Sequence, residues 1–339
     1  MKNIIQYLLT TANLVLRVNL LYIFLLSISA FGQEYFEHSI SGEKVVHSYF
    51  RLSYSEPHEQ AEWVYYKLNS SLNNGSVERS DNFREDRSVS TGSAKLSDYK
   101  YSGYDRGHLA PAGDMKSSYT AMSESFLMSN ISPQNPSFNR GGWKKLESLV
   151  RGWADKHELH IVTAGVLHSG LNKIGGSGVS VPSYFYKIIY APNESKMIGF
   201  LLPNTKINLG LQSYVKSVDH IENLTGIDFF YDLEDGLENA LEAKSILSSW
   251  DFDAKSMSST SNKSSSTALQ CKGNAKSTGN RCRNTTKNKN QYCYAHQSQS
   301  SDYKPPVKSN YVGRCNATTK AGNRCKRNAS SGSRYCWQH

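Results

Sequence analysis

The sequence predicts an α+β domain of about 200 residues with small appendages. Three observations lead there. β-rich segments alternate irregularly with a few helical ones between His38 and Asp253. The 339-residue chain is long enough for one sizeable core. All six cysteines lie after residue 270, in a basic tail with no core of its own.

In chain order, the first feature is a targeting segment. Lys2 and Arg17 precede the apolar run Val18–Phe31, "VNLLYIFLLSISAF". Such a run is short of the roughly 20 residues that span a bilayer. Ala30 and Gly32 are small residues at −3 and −1 of a cut before Gln33. Residues 1–32 are therefore expected to be a signal peptide for a secreted or periplasmic protein, with an uncleaved signal anchor as the alternative. After cleavage no stable membrane association is expected.

Residues 33–255 form the main domain. "VVHSYFRLSY" (Val45–Tyr54), "LHIVTAGV" (Leu159–Val166), "YFYKIIYA" (Tyr184–Ala191) and "KMIGFLLP" (Lys196–Pro203) read as strands. "GWKKLESLVRGWADKH" (Gly142–His157) reads as a helix, with Trp143, Leu146, Val150 and Trp153 on one face. A second helix is expected over Leu237–Trp250. This domain has no cysteine, so no disulfide holds it. Residues 256–270 are a Ser-rich linker. Residues 271–296 and 315–339 are an internal repeat, separated by a Pro-bearing linker at 297–314.

Charge divides along the same line. From Ser261 to His339 there are 15 Lys and Arg against one acid, Asp302. The whole chain carries +10, so the tail holds +14 and the remainder −4. A basic tail is an electrostatic footprint for a polyanion.

The chemistry concentrates in "GYDRGHLAPAGDM" (Gly103–Met115). His108, with an ordinary pKa of about 6.5, suits a general base near neutrality. Arg106 is a fixed cation with planar donors matched to phosphate. Gly107 permits a sharp backbone or a close approach of substrate. Asp105 is expected to pair with a neighbouring side chain or backbone. Further on, Asn139 precedes the Trp143 helix, where Asn is a favoured N-cap. Glu147 lies eight residues later, roughly 80° around an α-helix from Asn139 and about 12 Å along it. Its side chain leans back toward Asn139. One ion could hardly bind both directly, but Mg²⁺ keeps several waters and needs few protein ligands.

These residues carry a family resemblance. Asp105-Arg106-Gly107-His108-Leu109-Ala110, Ser129-Asn130-Ile131-Ser132-Pro133-Gln134, and Asn139 followed by Gly142-Trp143 and Leu146-Glu147 resemble the DNA/RNA non-specific endonucleases. That group includes secreted bacterial nucleases and mitochondrial endonuclease G. The resemblance continues through Thr163-Ala164-Gly165, Val181-Pro182, Tyr186-Lys187 and "IENLTGIDFF" (Ile221–Phe230), in the family's order from Glu43 to Leu237. It implies a mixed α+β nuclease with an antiparallel sheet flanked by helices and a ββα-metal (His-Me finger) core. It implies that His108 is the general base and that Asn139 is the sole protein ligand of one Mg²⁺ (or Mn²⁺). Glu147 would orient the metal's waters, Arg106 would bind the scissile phosphate, and Asn130 and Asp105 would support the site. The products would carry 5′-phosphate and 3′-hydroxyl ends, from DNA and RNA alike, with little sequence preference. Two features depart from the pattern. A further upstream arginine falls on either Arg79 or Arg84. Phe126 stands where some secreted members have Asn. Many members dimerise, so a homodimer is a possible assembly.

Each tail repeat offers three Cys and one His: Cys271, Cys282, Cys293 and His296, then Cys315, Cys325, Cys336 and His339. Tetrahedral Zn²⁺ takes three thiolates and an imidazole readily. Segments of this length cannot build a core, so a metal would supply the folding energy. Disulfides are the competing expectation, but three cysteines per repeat leave one unpaired unless a bridge joins the repeats. The repeats resemble small Cys3His zinc modules appended to other bacterial nucleases. Their cations and aromatics suit a tether to nucleic acid, with protein docking or a secretion role as alternatives. The rivals to a secreted nuclease are an inactive nucleic-acid-binding protein on the same fold and a toxin nuclease with an immunity partner.

Overall fold

The computed structural model describes His38, residues 41–255, and residues 268–301 apart from Ser277 and Lys287. The expected signal peptide and the second Cys3His repeat lie outside the described residues. The described chain forms two compact units. The smaller holds His38 and Asp228–Glu238; within it His38 bridges Phe229 and its Nδ1 accepts from the Phe230 amide at 3.0 Å. The larger holds everything else.

The larger unit is built on a seven-stranded sheet, antiparallel throughout. Its strands are β1 (Glu43–Val46), β2 (Phe50–Ser55), β3 (Gln60–Leu68), β6 (Leu159–Gly165), β9 (Tyr184–Ala191), β10 (Lys196–Pro203) and β11 (Val215–Lys216), in that order across the sheet. The expected strand at Val45–Tyr54 is a hairpin, because the chain turns between Val46 and Phe50 and His47 N–H donates to the Phe50 carbonyl at 2.9 Å. β6, β9 and β10 fall where the sequence predicts them, and the intervening β7 (Lys173–Ile174) and β8 (Val179–Ser180) pair as a separate short ribbon. β3, "QAEWVYYKL", had no such signal. It is an interior strand almost wholly buried on both faces, so it lacks alternation. Its polar residues are satisfied locally: Glu62 accepts from Ser41 N–H at 2.8 Å and Ser53 Oγ at 2.5 Å.

One face of the sheet carries a cross-strand row, Val64, Thr163, Lys187 and Phe200. A long helical segment lies on this face. It opens with a π-helical turn, Phe138–Trp143, and continues as an α-helix, Lys144–Ala154. Phe138, Trp143 and Phe185 pack with ring centroids 5.4 to 5.7 Å apart, and Trp153 stacks on Phe200 at 6.2 Å. Burying an aromatic of this size contributes roughly 4–6 kcal/mol of gross stabilisation. The second expected helix is shorter than the sequence reading. It spans Asp235–Glu242, and a 3-10 turn at Leu247–Ser249 replaces its end.

Above this sheet sits a two-stranded ribbon, β4 (Asp105–His108) against β5 (Ile131–Gln134), with Gly107 facing Ser132 and His108 facing Ile131. Ser132 Oγ donates to Gln60 Oε1 at 2.6 Å and so ties the ribbon to β3. Ribbon and following helix together make a ββα unit.

Candidate active site

His108 ends β4, and the ββα unit turns its ring inward. The imidazole is buried, and its Nε2 has no hydrogen-bond partner among the described residues. Two phenylalanines clamp it: Phe126 edge-on at 4.9 Å and Phe83 tilted at 5.5 Å between centroids. Each phenylalanine carries an arginine. The Arg106 guanidinium lies 4.1 Å over Phe83, and that of Arg79 lies 4.7 Å over Phe126. Burial first, then the charges of Arg79 and Arg106, push the His108 pKa down to about 3. The ring is therefore neutral and holds an open lone pair or N–H beside two cations.

This geometry separates the two upstream arginines. Arg79 stacks on the Phe126 ring that meets the histidine, with its Nε donating to the exposed Asp81 carboxylate at 2.7 Å, and its charge reaches the imidazole. Arg84 does not, for its Nη1 donates to the carbonyls of Asn82 and Ser123 at 3.3 and 2.8 Å. Desolvation lowers its pKa.

Asn130 is fully buried and pins the loop after His108. Its Oδ1 accepts from Ala110 N–H at 2.9 Å, and its Nδ2 donates to the carbonyls of Ala110 and Ser125, both at 2.9 Å. Gly107 serves packing rather than substrate approach. A Cβ there would stand 2.3 Å from the Gln134 side chain, which fills that space.

Asn139 is not an N-cap. It lies inside the π-helical turn, and its Nδ2 donates to Asp105 Oδ2 at 2.9 Å. That bond leaves the amide oxygen as the free donor atom. Arg140 grips the same carboxylate through Nε at 2.8 Å and Nη2 at 2.5 Å. Partial burial works against the Asp105 charge, but the bonds from Arg140 and Asn139 win and lower its pKa. Helix and ribbon are thus clipped together at the position of Asn139.

The π turn also narrows the angle about the helix axis between Asn139 and Glu147. A wider turn rotates the chain less per residue, which removes part of the offset of roughly 80° that a pure α-helix leaves between them. Glu147 makes no hydrogen bond among the described residues. Burial pushes its pKa up to about 7, against the pull of Arg151 and Lys187. Lys187 lies under the site, fully buried, 4.9 Å from the Trp143 ring and 5.6 Å from that of Tyr66. Desolvation lowers its pKa to about 8 although Glu147 opposes the shift. Beside them Asp114 accepts from Tyr66 Oη at 3.0 Å and from Arg151 Nη1 at 2.7 Å. An amide oxygen with a carboxylate held off it suits a hard divalent cation that keeps most of its waters, while Lys187 and Arg151 favour the charged form of that carboxylate from below.

Sequence reasoning gave no role to Phe83, Lys187 or the Tyr66–Asp114–Arg151 cluster. A signal for the last was present, since Arg151 falls four residues after Glu147 on the same helix face.

The first tail repeat makes a second site. Cys271, Cys282, Cys293 and His296 bring their ligand atoms within 4.8 Å of one another. Cys282 and Cys293 Sγ stand 3.9 Å apart, and His296 Nδ1 lies 3.3 and 3.6 Å from the Sγ atoms of Cys293 and Cys271. Tetrahedral zinc with bonds of about 2.3 Å to sulfur and 2.0 Å to nitrogen has edges of about 3.8 and 3.5 Å, close to these values. The three thiols are free, so no disulfide forms among them. Backbone amides of Gly273 and Cys293 donate to Cys271 Sγ at 3.3 and 3.2 Å. Gly273 allows His296 to come close, because a Cβ there would stand 2.4 Å from that of His296.

Comparison with known proteins agrees with this geometry. Residues 29–236 match the DNA/RNA non-specific endonuclease family. A nuclease of Nostoc sp. is 33% identical over 214 residues, covering 59% of this chain and 77% of that protein. The human mitochondrial nuclease EXOG is 33% identical over 204 residues, covering 54% of this chain and 55% of its own length. The chain therefore spans little more than half of that mitochondrial relative. Among solved structures, a chain of the EndoG/EndoGI complex is 29% identical, with a TM-score of 0.52 over 57% of this chain and 87% of that one. With more than half of its length matched to one family and a ββα site in the matched region, the chain is a nuclease of the DNA/RNA non-specific endonuclease family.

Proposed function

We propose that the protein is an exported, Mg²⁺-dependent (or Mn²⁺-dependent) endonuclease that hydrolyses phosphodiester bonds of DNA and RNA with little sequence preference. The observation that carries this reading is the placement of an unpartnered, neutral His108 Nε2 between Arg79 and Arg106, in the same ββα unit as Asn139.

The arginines bind two non-bridging oxygens of the scissile phosphate and recognise backbone rather than base. Phosphate between them offsets the two charges that depress His108, so substrate itself raises the basicity of the ring. His108 Nε2 then takes a proton from a water as that water attacks phosphorus. The bond from phosphorus to the 3′-oxygen breaks and that oxygen takes a proton from solvent water, leaving a 5′-phosphate and a 3′-hydroxyl. Asn139 would hold the cation through its amide oxygen, fixed by Asp105, and Glu147 would orient the cation's waters. When bound, the cation neutralises charge that builds on the phosphate and the leaving oxygen.

Cys271, Cys282, Cys293 and His296 would hold zinc, and the second repeat would do the same. The basic tail raises the local concentration of nucleic acid. Export is supported by the N-terminal apolar run and its small-residue cut site.

Plasmid nicking in Mg²⁺, with and without EDTA, tests the mechanism alongside His108→Ala and Asn139→Ala. Both variants and the chelated enzyme should lose at least about 10²-fold in rate. Cutting that survives EDTA or the loss of His108 overturns it.

A further inference from the structure

We infer that the first Cys3His module docks as a wall of the nuclease and positions the phosphate-binding Arg79. This rests on the metal reading proposed above. It differs from the picture of a free tether.

The contact is specific. The Glu78 amide donates to Asn288 Oδ1 at 3.2 Å, and Thr286 Oγ1 donates to Glu78 Oε2 at 3.3 Å. Asn288 and Thr286 are polar, yet both are buried. A cavity of about 200 Å³ lies along the seam, lined by Glu78, Arg84 and Met122 on the nuclease side and by Asn288, Ala295 and Gln297 on the module side.

Asn288 is held from the metal side. Its Nδ2 donates to the carbonyl of Tyr292, the residue before the ligand Cys293. Its own amide donates to Thr286 Oγ1 at 3.1 Å. With the module's ligands gathered, Asn288 therefore presents its amide oxygen to Glu78. The next residue is Arg79, over Phe126, and Phe126 stands against His108. A short chain of contacts thus runs from the cysteine cluster to the arginine beside the general base. A segment as small as the module has no core to hold this shape without its metal. Metal occupancy should then set how well Arg79 is placed. Arg79 is the group acted on, and Asn288 and Glu78 are positioning residues.

The Glu78 amide is a direct reporter. Hydrogen exchange at that amide can be followed in the full-length zinc-loaded protein, in protein treated with a zinc-selective chelator in excess Mg²⁺, and in Asn288→Ala. Exchange should quicken at least tenfold in the second and third relative to the first. The KM for duplex DNA should rise several-fold in both, with kcat within about twofold. Asn288→Asp keeps the acceptor oxygen for Glu78 but loses the donor to Tyr292, so its exchange and KM should fall between those of the wild type and Asn288→Ala. Glu78 exchange that is equally fast with and without zinc overturns the inference, as does Asn288→Ala with unchanged exchange and KM. Because exchange needs no catalysis, an enzyme inactive in every form would count against the nuclease mechanism without touching this readout.

Discussion

Phe126 meets His108 edge-on, with ring centroids 4.9 Å apart and planes at 87°, and it carries Arg79 on its face. One side chain therefore dries the proposed general base and spaces a cation from it. Phe126→Leu keeps apolar bulk but removes the flat ring. Water should then reach the imidazole and its pKa should climb from about 3 toward its ordinary value. Arg79 loses its platform, so KM should rise more than kcat falls. NMR titration of His108 and a KM-against-kcat comparison read the two effects separately. A pKa that stays put would show that the ring does not exclude water.

Asp105 acts through Asn139. It accepts from Asn139 Nδ2 at 2.9 Å and is locked by Arg140, which leaves the amide oxygen for the proposed cation. Asp105→Ala should let the amide turn over. Partners of this kind are typically worth 10–100-fold in metal affinity. The Mg²⁺ concentration for half-maximal cleavage should rise by about that factor, while the KM for DNA at saturating Mg²⁺ stays within a few-fold. Equal Mg²⁺ dependence in variant and wild type would remove Asp105 from the site's support.

Arg79 and Arg84 are near neighbours in sequence with opposite surroundings. Arg79→Ala should cost about 10²-fold in kcat/KM, most of it through KM, as for a phosphate contact made in bound substrate and transition state alike. It should also flatten the salt dependence by about one phosphate contact. Arg84→Ala strips donors from the carbonyls of Asn82 and Ser123 and should lower Tm while changing cleavage only a few-fold. Reversed outcomes would show that Arg84 reaches substrate.

Much of the site was legible as residue types. Asp105-Arg106-Gly107-His108, Asn130, Asn139 and Glu147 all stand out in the sequence, and the structure gathers them in one ββα unit. Their contacts were not legible. The choice between Arg79 and Arg84 depends on which one stacks over Phe126, a fact of three-dimensional packing. The angle between Asn139 and Glu147 about the helix axis depends on a π turn, which α-helical periodicity hides. Strand β3 lacked alternation because both faces are buried, and the four-residue strands β4 and β5, interrupted by Gly and Pro, gave no strand signal. Gly107 looked like an opening for substrate, yet Gln134 fills it. Docking of the first module through Asn288 left no mark in the repeat pattern, because polar residues between ligands look like solvated linker.

His160 gives a stability test away from the chemistry. It lies on the opposite sheet face from Lys187, and its Nδ1 meets Tyr65 Oη at 2.5 Å. Burial first, then Lys67, lowers its pKa to about 3. In the unfolded chain the same imidazole titrates near 6.5. Above that pH both states are neutral at this site and the folded form keeps its full advantage. Between about 6.5 and 3 the unfolded chain holds a proton that the folded chain refuses, so stability falls as pH drops. One such group contributes a slope of up to about 1.4 kcal/mol per pH unit in that window. His160→Gln keeps a polar partner for Tyr65 and cannot titrate. Urea unfolding at pH 8, 6, 5 and 4 should show the variant less stable at pH 8 but with a shallower loss on acidification, by about one proton. His108 is depressed in the same way, so a residual slope should remain in the variant and shrink again in the His108→Ala background. Parallel curves for wild type and His160→Gln would mean that the folded protein protonates this imidazole as readily as the unfolded chain does.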